Sequence, residues 1–281
     1  MTTVDIQVSA LEPGDLVQAK GLSDALGWPY RLEDWIFAHG LGEGLALRQG
    51  GRLIGTGMRW NYGPSFATVG MIIVDGAFQG RGLGARLVDG LLEGAGDRSV
   101  ILNATMEGLE LYRRRGFVSF GLTCQHQGIA KPVPASDAAC RIGFARDADW
   151  PALIELDQIA AGMPRRRLLE ALAGCGVASV LRGEDGGVRG YAVCREFGRG
   201  HVVGPVVAQS ADKAAALIAH AMSGLVGRFV RVNTPALSGL GTWLEAHGLL
   251  QVDTEEAMVR GTLPEVSAQA RIFALCSNSL G

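Results

Sequence analysis

Three landmarks recur along the chain at nearly one spacing, and this recurrence limits the fold more than any other feature. Ile54 in "RLIGTG" is echoed at Gly190, Asn103 in "ILNAT" at Asn233, and Gly116 in "RRGF" at Gly248, offsets of 136, 130 and 132 residues. A repeat of that length is a duplicated domain and not a short solenoid module. Apolar alternation and helical periodicity follow one order in both halves: strand, two helices, a hairpin, a long strand, a helix, a buried strand, a short helix and closing strands. The chain is therefore α+β, with domains predicted over 1–128 and 138–262. The segment between them (129–137) carries two prolines in "GIAKPVPASDAA" and reads as a linker. The tail (263–281) contains "ARIFALCSNSLG", too apolar for solvent, and is expected to pack back as a strand or cover.

Composition narrows the function. Hydrophobic residues make up 48% of the 281 and charged residues 19%, enough for two buried cores. A formal net charge of −2 gives no field for capturing nucleic acid or an anionic membrane. The arginine runs at 113–115 and 165–167 read as solvated helix faces. Five scattered cysteines (Cys124, Cys140, Cys175, Cys194, Cys276) include no CxxC pair, so neither a disulfide framework nor a zinc site is expected, and no other metal. The start of the chain lacks the basic and apolar regions of a signal peptide, and no apolar run reaches the ~20 residues of a spanning helix. A cytoplasmic protein is the expectation.

One stretch carries chemistry. "VDGAFQGRGLGARLVDGLL" (Val74 to Leu92) sets five glycines at the front of a helix, where each costs about 1 kcal/mol relative to alanine. Gly80, Gly82 and Ala85 fit a dinucleotide fingerprint in spacing, but five residues part Val74 from Gly80 and the next strand ends in Asn103-Ala104-Thr105 without an acid. Close helix packing accounts for one glycine and not for alternate ones. An anion cradle, in which backbone N–H groups and the helix dipole face a phosphate or pyrophosphate, accounts for the set. No lysine follows as in a triphosphate loop, which leaves coenzyme A as the pyrophosphate carrier.

Gln79-Gly80-Arg81-Gly82-Leu83-Gly84 resembles the Q/R-x-x-G-x-G/A acyl-CoA motif of the GCN5-related N-acetyltransferases (GNATs), and "LYRRRGF" (Leu111 to Phe117) resembles their L-Y-x-x-x-G-F motif. In the second half the glycine loop is replaced by Gln209-Ser210-Ala211-Asp212-Lys213 and the tyrosine by Leu244. That half is similar to the C-terminal domain of the YitH-like group of tandem bacterial GNATs. The resemblance implies two tandem domains, each a mixed, mostly antiparallel central sheet flanked by helices, with the cofactor site in the first and a degenerate copy in the second. It implies acetyl transfer from acetyl-CoA to a primary amine of a small molecule by direct attack. The pyrophosphate would sit on N–H groups from Arg81 to Arg86, including Leu83, Gly84 and Ala85, with Gln79 and Arg81 at the rim. The pantetheine arm would pair with Ile72, Ile73 and Val74, where the strand splays from Ile101–Asn103. Thr105 stands where many members have a cofactor-contacting asparagine, and Asn103 is expected to end its strand or cap the next turn. Tyr112 occupies the general-acid position.

No base is evident, and Asp34, His39, His126 or a water chain stay open. Trp28, Tyr30, Asp34 and Trp35 are the candidates for an acceptor wall. Two other readings also stay open: a non-catalytic acyl-CoA sensor or scaffold, and a protein-lysine acetyltransferase. A monomer or homodimer, without nucleic-acid or membrane partners, is expected.

Overall fold

The structure, a computed structural model, describes residues 5–134 and 141–281. The start of the first predicted strand at 2–4, the end of the linker and Cys140 lie outside them. In the first half β1 (Ile6–Ala10) leads to α1 (Leu16–Ala25), α2 (Leu32–Leu41), β2 (Glu43–Gln49), β3 (Arg52–Tyr62) and β4 (Phe66–Val74). Then come α3 (Leu83–Ala95), β5 (Ser99–Ala104), α4 (Leu109–Arg113) and β6 (Val118–Ile129). The second half repeats the order: β7 (Ile142–Phe144), α5 (Trp150–Ala161), α6 (Arg166–Cys175), β8 (Gly176–Arg182), β9 (Val188–Phe197), β10 (Gly200–Ala208), α7 (Ala211–Met222), β11 (Phe229–Pro235), α8 (Gly241–Ala246) and β12 (Leu250–Arg260). The tail adds β13 (Arg271–Ala274). Among the described residues no helix is long and apolar enough to cross a membrane.

All thirteen strands join one sheet in the order β1-β2-β3-β4-β5-β12-β6-β11-β10-β9-β8-β7, with β13 on β10. The pairs are antiparallel except β4/β5 and β10/β11, one in each half. By sequence order, "FVSFGLTCQHQG" (117–128) closes the first half and "LQVDTEEAMVRG" (250–261) the second. The sheet exchanges them: β12 pairs with β5 from Glu256↔Ala104 to Arg260↔Val100, and β6 pairs with β11 from Phe229↔Ile129 to Pro235↔Thr123. The two exchanged strands pair with each other through the middle of the sheet. Alternation in sequence marks a strand but not its partner, and the exchange leaves neither half an open edge at the joint. A boundary near 128 therefore divides the chain and not the sheet.

The core is shared as well. Trp35, Met58 and Trp60 of the first half belong to one buried cluster with Leu153, Leu168 and Tyr191 of the second. Helix α3 covers the β2–β4 face with Leu83, Leu87, Val88, Leu91 and Ala95, the spacing of a single apolar stripe.

Candidate active site

Parallel pairing of β4 with β5 lasts for three residue pairs, Phe66↔Ser99 to Thr68↔Ile101, and then stops. Strand β12 runs along the other edge of β5, and residues 69–74 of β4 keep a strand partner only on the β3 side. Opposite Gly57, β4 carries an extra residue between its pairings at Gly70 and Ile73. Met71 takes φ +51° in this bulge, a left-handed conformation uncommon for a side chain this size, and the Thr56 hydroxyl donates to the Met71 carbonyl at 3.0 Å. The strands thus open into a V whose β4 wall presents free main-chain groups.

At the mouth of the V the glycine turn behaves as its sequence demands. Gly80 and Gly82 have φ +74° and +73°, where a side chain would be strained. Gly82 stands before α3 and no side chain caps the helix, so the N–H groups of its first turn face outward with the positive end of the dipole. Asp75 braces the turn by accepting from Ala77 N–H at 3.0 Å, and the Gln79 amide donates to the Val74 carbonyl at 3.1 Å. The second half has no such feature. There the Ser210 hydroxyl accepts from Lys213 N–H and caps α7. Strand β10 pairs with β11 only at His201 and Val202, and β13 fills the V beyond, pairing with Val206–Ala208.

The V of the first half widens into a cavity of about 910 Å³. Of the residues read from sequence, Trp28, Tyr30, Ile72, Ile73, Val74, Gln79, Gly80, Gly82, Leu83, Gly84, Thr105 and Tyr112 line it. Arg81, Ala85 and Arg86 do not: Arg81 donates to the Ala77 carbonyl and lies over Phe78, and Arg86 donates from both Nη atoms to the Ile6 carbonyl. The Arg86 N–H is already bonded to the Gly82 carbonyl, so the free groups end before it. Trp35 is fully buried in the core, its indole N–H donating to Ser23. Asp34 is a buried clamp that accepts from Arg31, Gly198 N–H and Arg195. His39 and His126 bond the Leu11 and Leu249 carbonyls away from the cavity. Asn103 neither ends its strand nor caps a turn. It lies within β5 and its amide holds the tail, donating to the Asn278 carbonyl at 2.8 Å while accepting from Thr123 at 2.7 Å.

Sequence reasoning missed the opposite wall, which comes from the second half and the tail: Arg231 on β11, Asp253, Thr254 and Glu255 on β12, and Asn278 and Ser279. Burial, the largest influence, raises the Glu255 carboxyl to about 7, against the smaller opposing effects of Asn278 and Arg231. Tyr112 lines the same cavity, its ring edge-on to Phe117 at 5.8 Å and close enough to Gly108 that a Cβ there would lie 2.8 Å from it. Burial and the Glu255 charge push its phenol up to about 12. One cavity thus joins an uncapped helix start, an open strand edge, a phenol held protonated and a carboxylate poised near neutrality. No three His, Cys, Asp or Glu side chains among the described residues converge to hold a metal ion.

Residues 36–131 and residues 153–274 each match the acetyltransferase (GNAT) domain. The chain belongs to the GNAT family. Both halves carry the domain, and the YitH group named from sequence is represented among the relatives. The uncharacterized N-acetyltransferase YitH of Bacillus subtilis is 29% identical over 171 residues, 60% of this chain and 60% of its own length. The holothin acyltransferase of a Pseudoalteromonas species is 28% identical over 225 residues, 79% of this chain and 75% of its own. The fold is that of an acetyltransferase candidate from Pyrococcus horikoshii, with a TM-score of 0.82 at 19% identity over 100% of this chain and 98% of that one. The mixed, mostly antiparallel sheet with flanking helices is the GNAT architecture built twice.

Proposed function

We propose that this GNAT protein is an acetyl-CoA-dependent N-acetyltransferase with one working site, the cleft between β4 and β5, acting on a primary amine of a small molecule. The observation that carries the reading is the presence of Tyr112 and Glu255, close enough for the Glu255 charge to act on the phenol, in one cavity that also holds the open glycine turn. The residues present suit acetyl-CoA. The N–H groups of Leu83 to Ala85 would take the pyrophosphate, and the free edge of β4 from Val69 to Val74 would pair with the pantetheine amides. Bound there, the cofactor supplies the acetyl group as a thioester.

Glu255 takes a proton from the incoming ammonium as its nitrogen forms the bond to the acetyl carbon. Tyr112 returns a proton to the sulfur as the carbon–sulfur bond breaks. An ordinary amine titrates near 10, and moving Glu255 from 4.5 to about 7 closes nearly half of that gap. A carboxylate at the ordinary value would accept the proton far less readily. Tyr112 keeps its proton across the working range. Because Trp28, Tyr30 and the Asn278–Ser279 segment wall the acceptor side, a small molecule suits the cavity better than a polypeptide.

Thiol release measured across pH tests the assignment. In the parent protein kcat/KM should rise through a single acid limb near pH 7. Tyr112→Phe should lower kcat by about 10- to 100-fold with acetyl-CoA affinity nearly unchanged. Equal loss of cofactor binding in Tyr112→Phe would remove its role as acid.

A further inference from the structure

Acyl transfer in the cleft leaves a buried charged side chain without a task. Four arginines are buried among the described residues: Arg59, Arg165, Arg195 and Arg231. Three have a carboxylate beside them, Arg59 with Glu43 at 2.5 Å, Arg165 with Asp157 at 2.6 Å and Arg195 with Asp34 at 3.4 Å. Arg231 makes no ion pair among the described residues. Its hydrogen bond there runs from Nε to Asn233 Oδ1 at 2.8 Å, and its guanidinium lies 5.5 Å from the Phe197 ring. Only 9% of the residue is exposed, and it lines the cavity. Glu255 and Asp253 act on it through space, but neither makes an ion pair with it, and a guanidinium that cannot shed its proton is costly to bury without a bonded partner charge. Its planar fork matches a carboxylate in two parallel hydrogen bonds.

The sheet register sets Arg231 relative to Glu255. Strand β6 lies between them: Glu255 pairs with Thr123 and Arg231 with Gln127. Directly paired residues share a face, and Thr123, Gln125 and Gln127 alternate onto the same one. Gln125 lines the cavity between them. Two strand spacings across and four residues along put the two backbones roughly 16 Å apart. A glutamate and an arginine reaching inward from there stand at two ends of one stretch of the cavity lining, with Asp253, paired to Gln125, on the same face between them. Arg231 is the buried cation of the lining and Arg199 lies exposed at it, so the one desolvated charge matches a carboxylate, and the phosphate arm of the test decides whether Arg199 adds a second.

Resting on the acetyltransferase reading, we propose that Arg231 binds the carboxylate of the acceptor, and that the substrates are amino carboxylates presenting their amine to Glu255 and their carboxylate to Arg231. The Trp28 and Tyr30 rings then flank what lies between the two charges.

The test compares matched acceptors: the common L-amino acids, β-alanine and 4-aminobutyrate against their carboxamides, with phosphoethanolamine as the phosphate arm. Thiol release from acetyl-CoA is followed with the full chain. At least one acid should be acetylated with kcat/KM about 10- to 100-fold above its amide. Arg231→Gln should reduce that preference to within about threefold through KM, with acetyl-CoA affinity unchanged, and Arg231→Lys should restore part of it. Equal use of acid and amide, a preference that survives Arg231→Gln, or phosphoethanolamine favoured over every acid overturns the proposal. Amide-only turnover removes it and leaves the acetyltransferase reading standing, whereas no turnover of any member removes both.

Discussion

Tyr112 and Glu255 are shifted in the same direction by burial, with opposite consequences for their chemistry. The phenol holds its proton more securely, as the proposed acid should, and the carboxyl is moved toward neutrality, as the proposed base should be. The Glu255 shift also has a stability signature. Its folded value, about 7, exceeds its ordinary 4.5, so the folded state holds the proton more tightly. The stability that Glu255 contributes is full below about 4.5 and lost as pH rises through 7. Glu255→Gln removes this dependence. Its Tm relative to the parent should therefore climb by a few degrees between about pH 5 and pH 8, and a constant difference in differential scanning calorimetry would contradict the burial of that charge. Tyr112 was legible in sequence because "LYRRRGF" places it on a short helix before a turn. Glu255 was not, because it reaches the same cavity from the far half of the chain. Asp34 was misplaced for a related reason: its position at a helix start was visible, but Gly198 and Arg195, which engage it, lie far along the chain.

At the scale of elements, the same β-V is built twice and left open once. In the first half the V stays open beside an uncapped helix, whereas in the second β13 lies in it and Ser210 caps the helix. The missing glycines of the second half were plain in sequence. That the tail fills the gap was not, since "RIFA" shows only that a strand is wanted, not which edge receives it. Gly84 gives a clean probe of the open turn. Its φ is not in the left-handed region, and a Cβ would meet only Leu111 at an ordinary 3.6 Å. Gly84→Glu should leave Tm within a few degrees and weaken acetyl-CoA binding at least about 100-fold by calorimetry, because a carboxylate would stand where the pyrophosphate sits. Unchanged affinity would relocate the cradle.

For the whole molecule, exchange of β6 and β12 makes the halves interdependent. The first half without β12 would leave β5 held only by its three pairs to β4 and would lack Glu255, and the shared core would lose its second-half side chains. A fragment of residues 1–130 should therefore lack a cooperative melting transition by circular dichroism, and a cooperative one would show that the first half folds alone. The Arg165–Asp157 pair lies in the buried second-half interior, with Tyr191 also donating to Asp157. Asp157→Ala strands a buried guanidinium and should cost about 3–5 kcal/mol by chemical denaturation. Duplication, element order and the half that keeps the glycine turn could all be read from residues, because periodicity and motif are local. The exchange and the composite acceptor wall could not, because both depend on which strands meet.

Isothermal titration of the full chain with acetyl-CoA tests one working site most directly. We predict one equivalent bound per chain, abolished by Gly84→Glu and retained by Glu255→Gln. Two equivalents, or one equivalent that survives Gly84→Glu, would contradict a single cofactor cleft between β4 and β5.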